Sequence, residues 1–170
     1  MLEKQVAVLM GSSSDLPKIN VTIKTLEEFG VQFSVRIMSA HRTPEIVTSF
    51  CKSASENKYQ VIIAAAGGAA HLAGVVAAHT NLPVIGIPIE GGAFQGMDAL
   101  LSTVQMPGGV PVVSVAVGTS GCKNAALFAI RILALSDENL KKKLLKFSHR
   151  QRNKVIEADT KLVKEHTNGS

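Results

Sequence analysis

Hydrophobic runs of five to seven residues alternate with longer amphipathic segments along most of the chain. The runs are rich in Val, Ile and Ala, which is typical of strands that are buried on both faces of a parallel sheet. The pattern predicts five strands, at residues 6–10, 32–38, 61–65, 84–88 and 112–117. It also predicts a helix that ends at residue 29, helices at 44–56, 69–79, 96–105 and 124–135, and a lysine-rich helical tail.

Strands that alternate with helices define an α/β fold. We expect a flavodoxin-like three-layer α/β/α sandwich with a central parallel five-stranded sheet and a C-terminal helical tail. Gly30 is placed to end the first helix in the left-handed conformation. A single catalytic domain that includes the C-terminal helix is predicted over residues 1–166, with a frayed end at 167–170.

Composition narrows the class of protein. The chain has 170 residues, 46% of them hydrophobic, and a mean hydropathy of +0.22, so it is too apolar to be disordered and long enough for one domain with a core. Its two cysteines, Cys51 and Cys122, provide neither a disulfide framework nor a zinc cluster and suit a reducing cytosol. Glu3 and Lys4 argue against a secretory signal. We therefore expect a cytoplasmic protein.

Basic charge is concentrated in the tail. From Asp137 onward the chain has nine Lys or Arg against five Asp or Glu, whereas residues 1–136 have nine against eight. No aromatic or recognition motif is interleaved with these charges, so a solvated helix is favoured over a nucleic-acid surface. Residues 61–78 are long enough to span a membrane but are mostly Ala and Gly, which favours a buried strand, a turn and a helix. We expect no nucleic-acid partner and no membrane partner.

Three polar loops each follow a predicted strand directly, at residues 11–15, 39–44 and 67–71. In doubly wound folds, ligands bind beyond the carboxyl ends of the strands, near the point where strand order reverses. Because all three loops open on that edge of the sheet, we expect them to form one cleft.

The first loop, Gly11-Ser-Ser-Ser-Asp15, combines small residues, hydroxyls and backbone N–H groups at the start of a helix. Such a helix start attracts phosphate, although Ser and Asp also serve as plain N-caps in most helices. Asp15 would repel phosphate, so a ribose hydroxyl or a backbone N–H is its expected partner.

The second loop, Ser39-Ala-His-Arg-Thr-Pro44, places a His and an Arg side by side at a strand end. Arg42 can bind a phosphate or carboxylate through two parallel hydrogen bonds. His41 can hold or release a proton near neutral pH. A helix cap at Thr43, with Pro44 at the first helical position, explains the Thr-Pro pair but not the two functional side chains.

The third loop, Ala66-Gly-Gly-Ala-Ala-His-Leu72, contains a glycine pair that permits positive φ and close approach of the backbone to a ligand. Main-chain donors could then surround a planar ring. Taken alone, His71 is interpreted as a packed, hydrogen-bonded histidine and His79 as a helix cap. The sequence has no His-x-x-x-His pair and no His/Cys/Asp cluster, so no metal site is expected.

Together with four further motifs in the same order, these loops resemble the bacterial-type N5-carboxyaminoimidazole ribonucleotide mutases of purine biosynthesis. The further motifs are Leu82-Pro-Val-Ile-Gly-Ile-Pro88, Val104-Gln-Met-Pro107, Gly109-Val-Pro-Val112 and Asn124-Ala-Ala-Leu127. The resemblance runs from about residue 6 to residue 135. It implies an isomerase that moves a carboxylate from the exocyclic nitrogen to ring carbon C4 of a phosphoribosyl-aminoimidazole substrate, without ATP, biotin or metal, so no cofactor is expected.

Matching the motifs of that family position by position gives the candidate site residues. The resemblance implies that His41 is catalytic and that Arg42 binds phosphate. It implies that Ser12 and Asp15 also bind the substrate. The surrounding wall of the site would be formed by Ser14, Ser39, Gly68, Ala69, His71 and Leu72. We expect His41 to shuttle a proton while the amides of the glycine loop hold CO2.

The resemblance further implies a homo-octamer with sites shared between subunits and a functional link to the ATP-dependent synthase that makes the substrate. Hydrophobic residues recur among the lysines of the tail at helical spacing, which indicates a packed helix. They are Leu140, Leu144, Leu145, Phe147 and Val155. The sequence leaves open whether this helix packs within its own subunit or on a neighbour.

Three segments depart from the pattern of the family. Ala73 stands where the family usually has Pro, Cys122-Lys123 replaces small residues, and Gly91-Gly-Ala-Phe94 is less typical. These changes concern loop rigidity or subunit contacts rather than the chemistry.

One alternative from the same superfamily and two alternatives from other classes remain. The animal-type enzyme that carboxylates aminoimidazole ribonucleotide directly has Ser-Ala-His-Lys-Gly-Pro in the second loop and Arg-Ser-Asn-Gly in the third, so the mutase is favoured. A non-catalytic flavodoxin-like nucleotide or flavin binder is a second alternative, although the chain has no Trp and one Tyr to stack on a flavin. A basic nucleic-acid protein would depend on the tail alone.

Overall fold

The computed structural model of the chain describes residues 5–167. One parallel sheet contains five strands in the order β2-β1-β3-β4-β5. The strands are β1 (Val6–Met10), β2 (Phe33–Ile37), β3 (Val61–Gly67), β4 (Val84–Ile89) and β5 (Val113–Ser114). The helices are α1 (Leu16–Phe29), α2 (Pro44–Ser53), α3 (Leu72–Ala77), α4 (Met97–Val104), α5 (Thr119–Leu133) and α6 (Glu138–Thr167), and a 3-10 turn (Ser13–Asp15) precedes α1.

This strand order is the flavodoxin-like one, so the predicted α/β architecture is confirmed. All residues of β1 and β4 are buried, as expected for strands that are covered on both faces. Gly86 in β4 has no room for a side chain, because a Cβ there would overlap the side chain of Thr103 on α4. The chain runs from β1 to β2 and from β3 to β4 in opposite directions along the sheet, which places a crevice at the carboxyl ends of β1 and β3.

The fifth strand is much shorter than the six residues predicted. Only Val113 and Ser114 are paired with β4, and Val115 adds one hydrogen bond from its N–H to the carbonyl oxygen of Gly86 at 3.1 Å. This strand lies at the edge of the sheet and has a partner strand on one side. Val113 is therefore 44% exposed. Gly118, with a φ of 86°, then turns the chain into α5, which starts five residues earlier than predicted.

Helix boundaries follow the local signals where those signals are strong. Gly30 adopts a φ of 71°, and its N–H bonds to the carbonyl of Glu27, which confirms the predicted end of α1. Helix α3 is shorter than predicted because residues 68–71 form a loop before it. His79 caps the end of α3 as predicted, with 2.8 Å between its Nδ1 and the carbonyl oxygen of Val75.

Contacts within the chain divide it into two compact units, Met1–Ile132 and Leu133–Ser170. The sheet and helices α1 to α4 belong to the first unit. Helix α6 occupies most of the second, and its side chains from residue 148 through 166 are exposed. Leu140 is buried, but Leu145 and Val155 are 58% and 70% exposed, so the packing expected along the tail is found only at its start.

The single domain proposed over residues 1–166 remains a prediction. The frayed end expected at 167–170 lies outside the described residues except for the backbone of Thr167, and residues 1–4 are outside them as well. None of the helices between residues 5 and 167 is long and apolar enough to cross a membrane.

Candidate active site

A cavity of about 480 Å³ lies at the carboxyl ends of β1, β2 and β3. The three loops that the sequence predicted to converge form its walls, so that prediction is confirmed. The lining residues are Gly11, Ser12, Ser14, Asp15, Ser39, Ala40, His41, Arg42, Ala66, Gly67, Ala69 and Leu72. The cavity is therefore assembled from three separate segments between residues 11 and 72 of the sequence.

The first loop is held by its own hydroxyls. Ser12 occupies the N-cap position of the 3-10 turn and accepts hydrogen bonds from the Ser14 N–H at 3.3 Å and the Ser14 hydroxyl at 2.8 Å. The same serine therefore caps the turn and lines the cavity. The hydrogen bonding between β1 and β3 continues into the loop, since the N–H of Gly11 donates to the carbonyl oxygen of Ala65 at 3.1 Å.

The second loop is organised by Ser39 and Thr43. The Ser39 hydroxyl accepts hydrogen bonds from the backbone N–H groups of His41 and Arg42, at 3.3 and 3.2 Å. Thr43 occupies the expected cap position, but its hydroxyl turns back to the backbone of Ser39 instead of capping α2. This short polar network fixes the backbone from which the His and Arg side chains project.

Arg42 connects the second loop to the first. Its Nη2 donates a hydrogen bond to the carbonyl oxygen of Gly11 at 3.0 Å. The guanidinium group therefore lies beside the loop whose serines and backbone N–H groups were predicted to bind phosphate. A positive, planar donor beside hydroxyl groups can bind a phosphate.

The glycine pair of the third loop shows the positive φ that was predicted for it. Gly68 adopts a φ of 62°, which a side chain would strain. Gly67 is required by packing within the sheet, because a Cβ there would lie 3.3 Å from the carbonyl oxygen of Ile89 on β4, and the close approach to a ligand stays a prediction. The pair thus turns the chain sharply at the end of β3 and brings Ala69 and Leu72 to the cavity wall.

The rings of His41 and His71 meet at the cavity mouth. His41 Nε2 and His71 Nδ1 are 2.8 Å apart, and the two ring planes meet at 76°. His71 is exposed, so the packed environment predicted for it is wrong, whereas the hydrogen bond predicted for it is present, with the candidate catalytic ring as partner. The local sequence contains no signal for this pairing, since the two residues are 30 positions apart.

Asp15 is the acidic group of the cavity. Burial raises the pKa of its carboxyl group, and this effect outweighs the nearby Lys18 ammonium and the hydrogen bonds from the hydroxyl of Ser14 and the backbone of Ser12, all of which lower it. The distance from the Ser14 hydroxyl to Asp15 Oδ1 is 3.5 Å. A partly buried carboxylate of this kind is suited to accept hydrogen bonds from ligand hydroxyl groups.

Eight of the ten candidate site residues line the cavity, and the other two, Gly68 and His71, belong to the loop that forms its third wall. The arrangement supplies one cation for an anionic group, one carboxylate for hydroxyl groups and one imidazole pair for proton transfer. The sequence did not indicate the carbonyl of Gly11 as the partner of Arg42, because backbone acceptors carry no residue-type signal. Among residues 5–167, no group of three or more His, Cys, Asp or Glu side chains is placed to hold a metal ion.

The fold and the cavity define a flavodoxin-like α/β protein with a cavity at the switch point of its parallel sheet, where proteins of this fold bind their ligands. A family model described as AIR carboxylase matches residues 5–154. The chain belongs to the AIR carboxylase family.

Individual relatives agree with this assignment. The N5-carboxyaminoimidazole ribonucleotide mutase of Saccharolobus solfataricus is 51% identical over 152 residues, which cover 89% of this chain and 95% of the relative. The chloroplastic phosphoribosylaminoimidazole carboxylase of Vigna aconitifolia is 48% identical over 92% of this chain, but the match covers only 28% of that longer protein. The crystal structure of PurE from Treponema denticola superposes with a TM-score of 0.84 at 33% identity, covering 93% of this chain and 98% of that one.

Proposed function

We propose that the protein is an N5-carboxyaminoimidazole ribonucleotide mutase, an isomerase of purine biosynthesis. The observation that carries this proposal is the single cavity in which His41, Arg42, Ser12 and Asp15 come together. A relative that bears this name is about half identical over nearly the whole chain, which supports the same activity.

Different residues bind the phosphate and the ribose of the nucleotide. Arg42 binds the phosphate together with Ser12 and the backbone N–H groups at the start of the 3-10 turn. Asp15 accepts hydrogen bonds from the ribose hydroxyl groups, as its charge would repel the phosphate. This placement directs the imidazole ring toward His41 and the third loop.

The reaction requires proton transfer at two atoms. Protonation of N5 by His41 allows the bond between N5 and the carboxylate carbon to break, with its electron pair remaining on nitrogen and CO2 released. Ring carbon C4 then attacks CO2, and His41 removes the proton from C4 to restore the aromatic ring. The histidine donates one proton and recovers one, so the cycle closes without an oxidant, a reductant or a second substrate.

CO2 must stay in the cavity between these two steps. Ala66, Ala69 and Leu72 give the third wall a small, largely apolar surface next to the backbone amides of the glycine loop. Those amides polarise CO2, and the apolar wall limits both the escape of CO2 into the solvent and the entry of water.

His71 is the hydrogen-bond partner of His41. In a hydrogen bond between two imidazole nitrogens, one carries the proton and the other accepts it. The bond between the two rings therefore orients His41 and gives its proton a second site when the substrate is absent. Substrate binding breaks this bond, and His41 Nε2 then donates a hydrogen bond to N5 and faces C4, from which it later removes the proton.

Direct carboxylation of aminoimidazole ribonucleotide is the second candidate function, because one relative is named a phosphoribosylaminoimidazole carboxylase. The test is to assay the purified protein with N5-carboxyaminoimidazole ribonucleotide, and separately with aminoimidazole ribonucleotide with and without bicarbonate. A mutase converts the first substrate without added bicarbonate. Turnover only of aminoimidazole ribonucleotide in the presence of bicarbonate would overturn the mutase assignment.

The enzyme is further proposed to act in the cytoplasm as a homo-octamer and to receive its substrate from the ATP-dependent synthase. Two buried free thiols, Cys51 and Cys122, support a reducing compartment. Burial raises the pKa of the Cys51 thiol to about 11, which protects it from oxidation. Analytical ultracentrifugation tests the assembly: a stable monomer at micromolar concentration would contradict it.

A further inference from the structure

Thr43 lies at the boundary between the second site loop and α2. Its carbonyl oxygen accepts the first hydrogen bonds of the helix, from the N–H groups of Ile46 and Val47 at 3.1 and 3.2 Å. Its hydroxyl does not cap the helix but faces the loop before it. The side chain is half-buried and lies outside the lining of the cavity. Thr43 therefore holds α2 through its backbone and the site loop through its hydroxyl.

The hydroxyl of Thr43 closes the loop on Ser39. It accepts a hydrogen bond from the N–H of Ser39 at 2.9 Å and donates one to the carbonyl oxygen of Ser39 at 3.1 Å. The N–H of Thr43 donates to the same carbonyl oxygen at 2.9 Å. Just before this turn, the N–H of Met38 donates to the carbonyl oxygen of Met10 on β1 at 2.9 Å. Residues 40–42 are thus held between the end of the sheet and the start of α2.

The two functional side chains of the second loop leave the backbone inside this closed turn. His41 reaches the ring of His71, with 2.8 Å between the two nitrogens, and Arg42 reaches the carbonyl oxygen of Gly11 at 3.0 Å. Both His41 and Arg42 are exposed, so packing does not hold them. The direction of such a side chain depends on the conformation of its own backbone and on its few hydrogen bonds. The closed turn therefore determines where both groups point.

We propose that Thr43 is a positioning residue for the reaction, whose hydroxyl holds the ring of His41 and the guanidinium group of Arg42 in place at the same time. This inference deepens the proposed function and depends on it for the roles of His41 and Arg42. Without the hydroxyl, the partly buried N–H of Ser39 loses its partner, and the turn opens so that water can replace it. Proton transfer and phosphate binding are then impaired together by the loss of a group outside the cavity lining.

Substitutions at Thr43 separate its hydroxyl from its shape. Thr43→Val removes the hydroxyl and keeps the branched shape, whereas Thr43→Ser keeps the hydroxyl and removes the methyl group. The matched control is Thr25→Val in α1, because the hydroxyl of Thr25 also donates to a carbonyl oxygen four residues earlier, that of Val21 at 2.7 Å. If Thr43→Val does not fold, Thr43→Ala, which also lacks the hydroxyl, answers the same question.

Turnover of N5-carboxyaminoimidazole ribonucleotide and calorimetric binding of aminoimidazole ribonucleotide measure the two effects. For Thr43→Val we expect kcat to fall by about 10²-fold, the loss associated with a small misplacement of a reacting group. We expect nucleotide binding to weaken by about 10-fold in the same variant, as for the loss of one hydrogen bond to a charged group. Thr43→Ser should restore both, and Thr25→Val should change neither, although it unfolds at a lower temperature.

A second measurement needs no turnover. ¹⁵N NMR of the histidine rings in the ligand-free protein reports the hydrogen bond between His41 and His71, and His41→Asn and His71→Asn identify the signals. We expect Thr43→Val to lose the signals of the bonded pair, and Thr43→Ser and Thr25→Val to keep them. Failure of the mutase assignment would appear separately, as absence of turnover in the original protein while the bonded pair is still present in its spectrum.

Three results overturn the proposal. The first is unchanged kcat, nucleotide binding and histidine signals in Thr43→Val. The second is a loss confined to kcat alone or to nucleotide binding alone, since one hydroxyl is proposed to hold both groups. The third is an equal loss in Thr43→Val and Thr25→Val, or a Thr43→Ser variant no more active than Thr43→Val, because either indicates general destabilisation rather than positioning by the hydroxyl.

Discussion

His41 Nε2 and His71 Nδ1 are 2.8 Å apart, although the residues come from loops after two different strands. Strand β1 lies between those two strands in the sheet, and the loops after β2 and β3 both reach over its end. The rings meet nearly edge to face, with centroids 5.0 Å apart, and share this one hydrogen bond. The pair is thus arranged to exchange one proton.

Removal of the His41 imidazole should abolish proton transfer while leaving the binding groups in place. For His41→Asn we expect kcat to fall by about 10²- to 10⁴-fold, the range typical of general acid–base catalysis, with nucleotide binding retained. His71→Asn should lower kcat less, since it removes only the second site for the proton that His41 transfers. Steady-state kinetics and calorimetric binding of aminoimidazole ribonucleotide measure the two effects.

His79→Asn is the control for this pair, because His79 caps the end of α3 outside the cavity lining. It should leave kcat unchanged. Near-normal turnover in His41→Asn, together with retained nucleotide binding, would contradict the role assigned to His41.

Arg42 is expected to contribute mainly through the phosphate. A hydrogen bond to a charged group contributes about 1.5–3 kcal/mol, so Arg42→Met should weaken nucleotide binding by about 10- to 150-fold. Arg42→Lys should recover part of the loss, because lysine keeps the charge but lacks the two-pronged geometry. Calorimetry with the nucleotide and with the corresponding nucleoside distinguishes a lost phosphate contact from a general loss of binding. The nucleoside, which lacks the phosphate, should bind the original protein and Arg42→Met equally.

Arg36→Met serves as the charge-matched control for Arg42→Met. Arg36 lies on β2, and its guanidinium group is 5.9 Å from the centre of the Phe50 ring, outside the cavity lining. Equal weakening of nucleotide binding in both variants would indicate a general charge effect and refute a specific phosphate contact.

The ionised Asp15 side chain is expected to lower the free energy of unfolding at neutral pH. Its pKa is raised in the folded protein, so the folded state binds more protons than the unfolded state and stability falls as pH rises through this range. Asp15→Asn should therefore increase the free energy of unfolding at pH 7. The gain should disappear below the pKa of an unfolded aspartate, about 3.9. Urea unfolding at pH 7 and pH 3.5 tests this, and a loss of stability at pH 7 would contradict it.

Gly121 is required by packing at the start of α5. A Cβ at this position would overlap the carbonyl oxygen of Ala116, a backbone atom that cannot move aside. Gly121→Ala should lower the free energy of unfolding by about 3 kcal/mol or more, at the upper end of the range for overpacking. Gly108→Ala is the matched control, since its Cβ would meet nothing within 4 Å. Chemical unfolding of the two variants measures the difference, and equal stability would refute the clash.

The regular part of the fold could be predicted because its causes are local. Buried strands such as β1 are recognisable from five consecutive apolar residues, and Gly30 ends α1 because a left-handed residue without a side chain is needed there. Two details whose causes are not local were predicted wrongly. The length of β5 depends on pairing with Gly86 at the sheet edge, and the exposure of Val155 on α6 depends on what covers that helix.

The sequence by itself determined the alternation of strands and helices, the three polar loops and the residue types that they carry. Parallel strands of a doubly wound sheet place such loops on one edge, so a common cleft followed from the pattern alone. Only the tertiary structure decided which groups touch. The partner of Arg42 is the carbonyl oxygen of Gly11, and the partner of His41 is a ring 30 residues away. A backbone acceptor has no residue-type signal, and contacts between loops depend on dihedral angles set by the packing of the whole sheet.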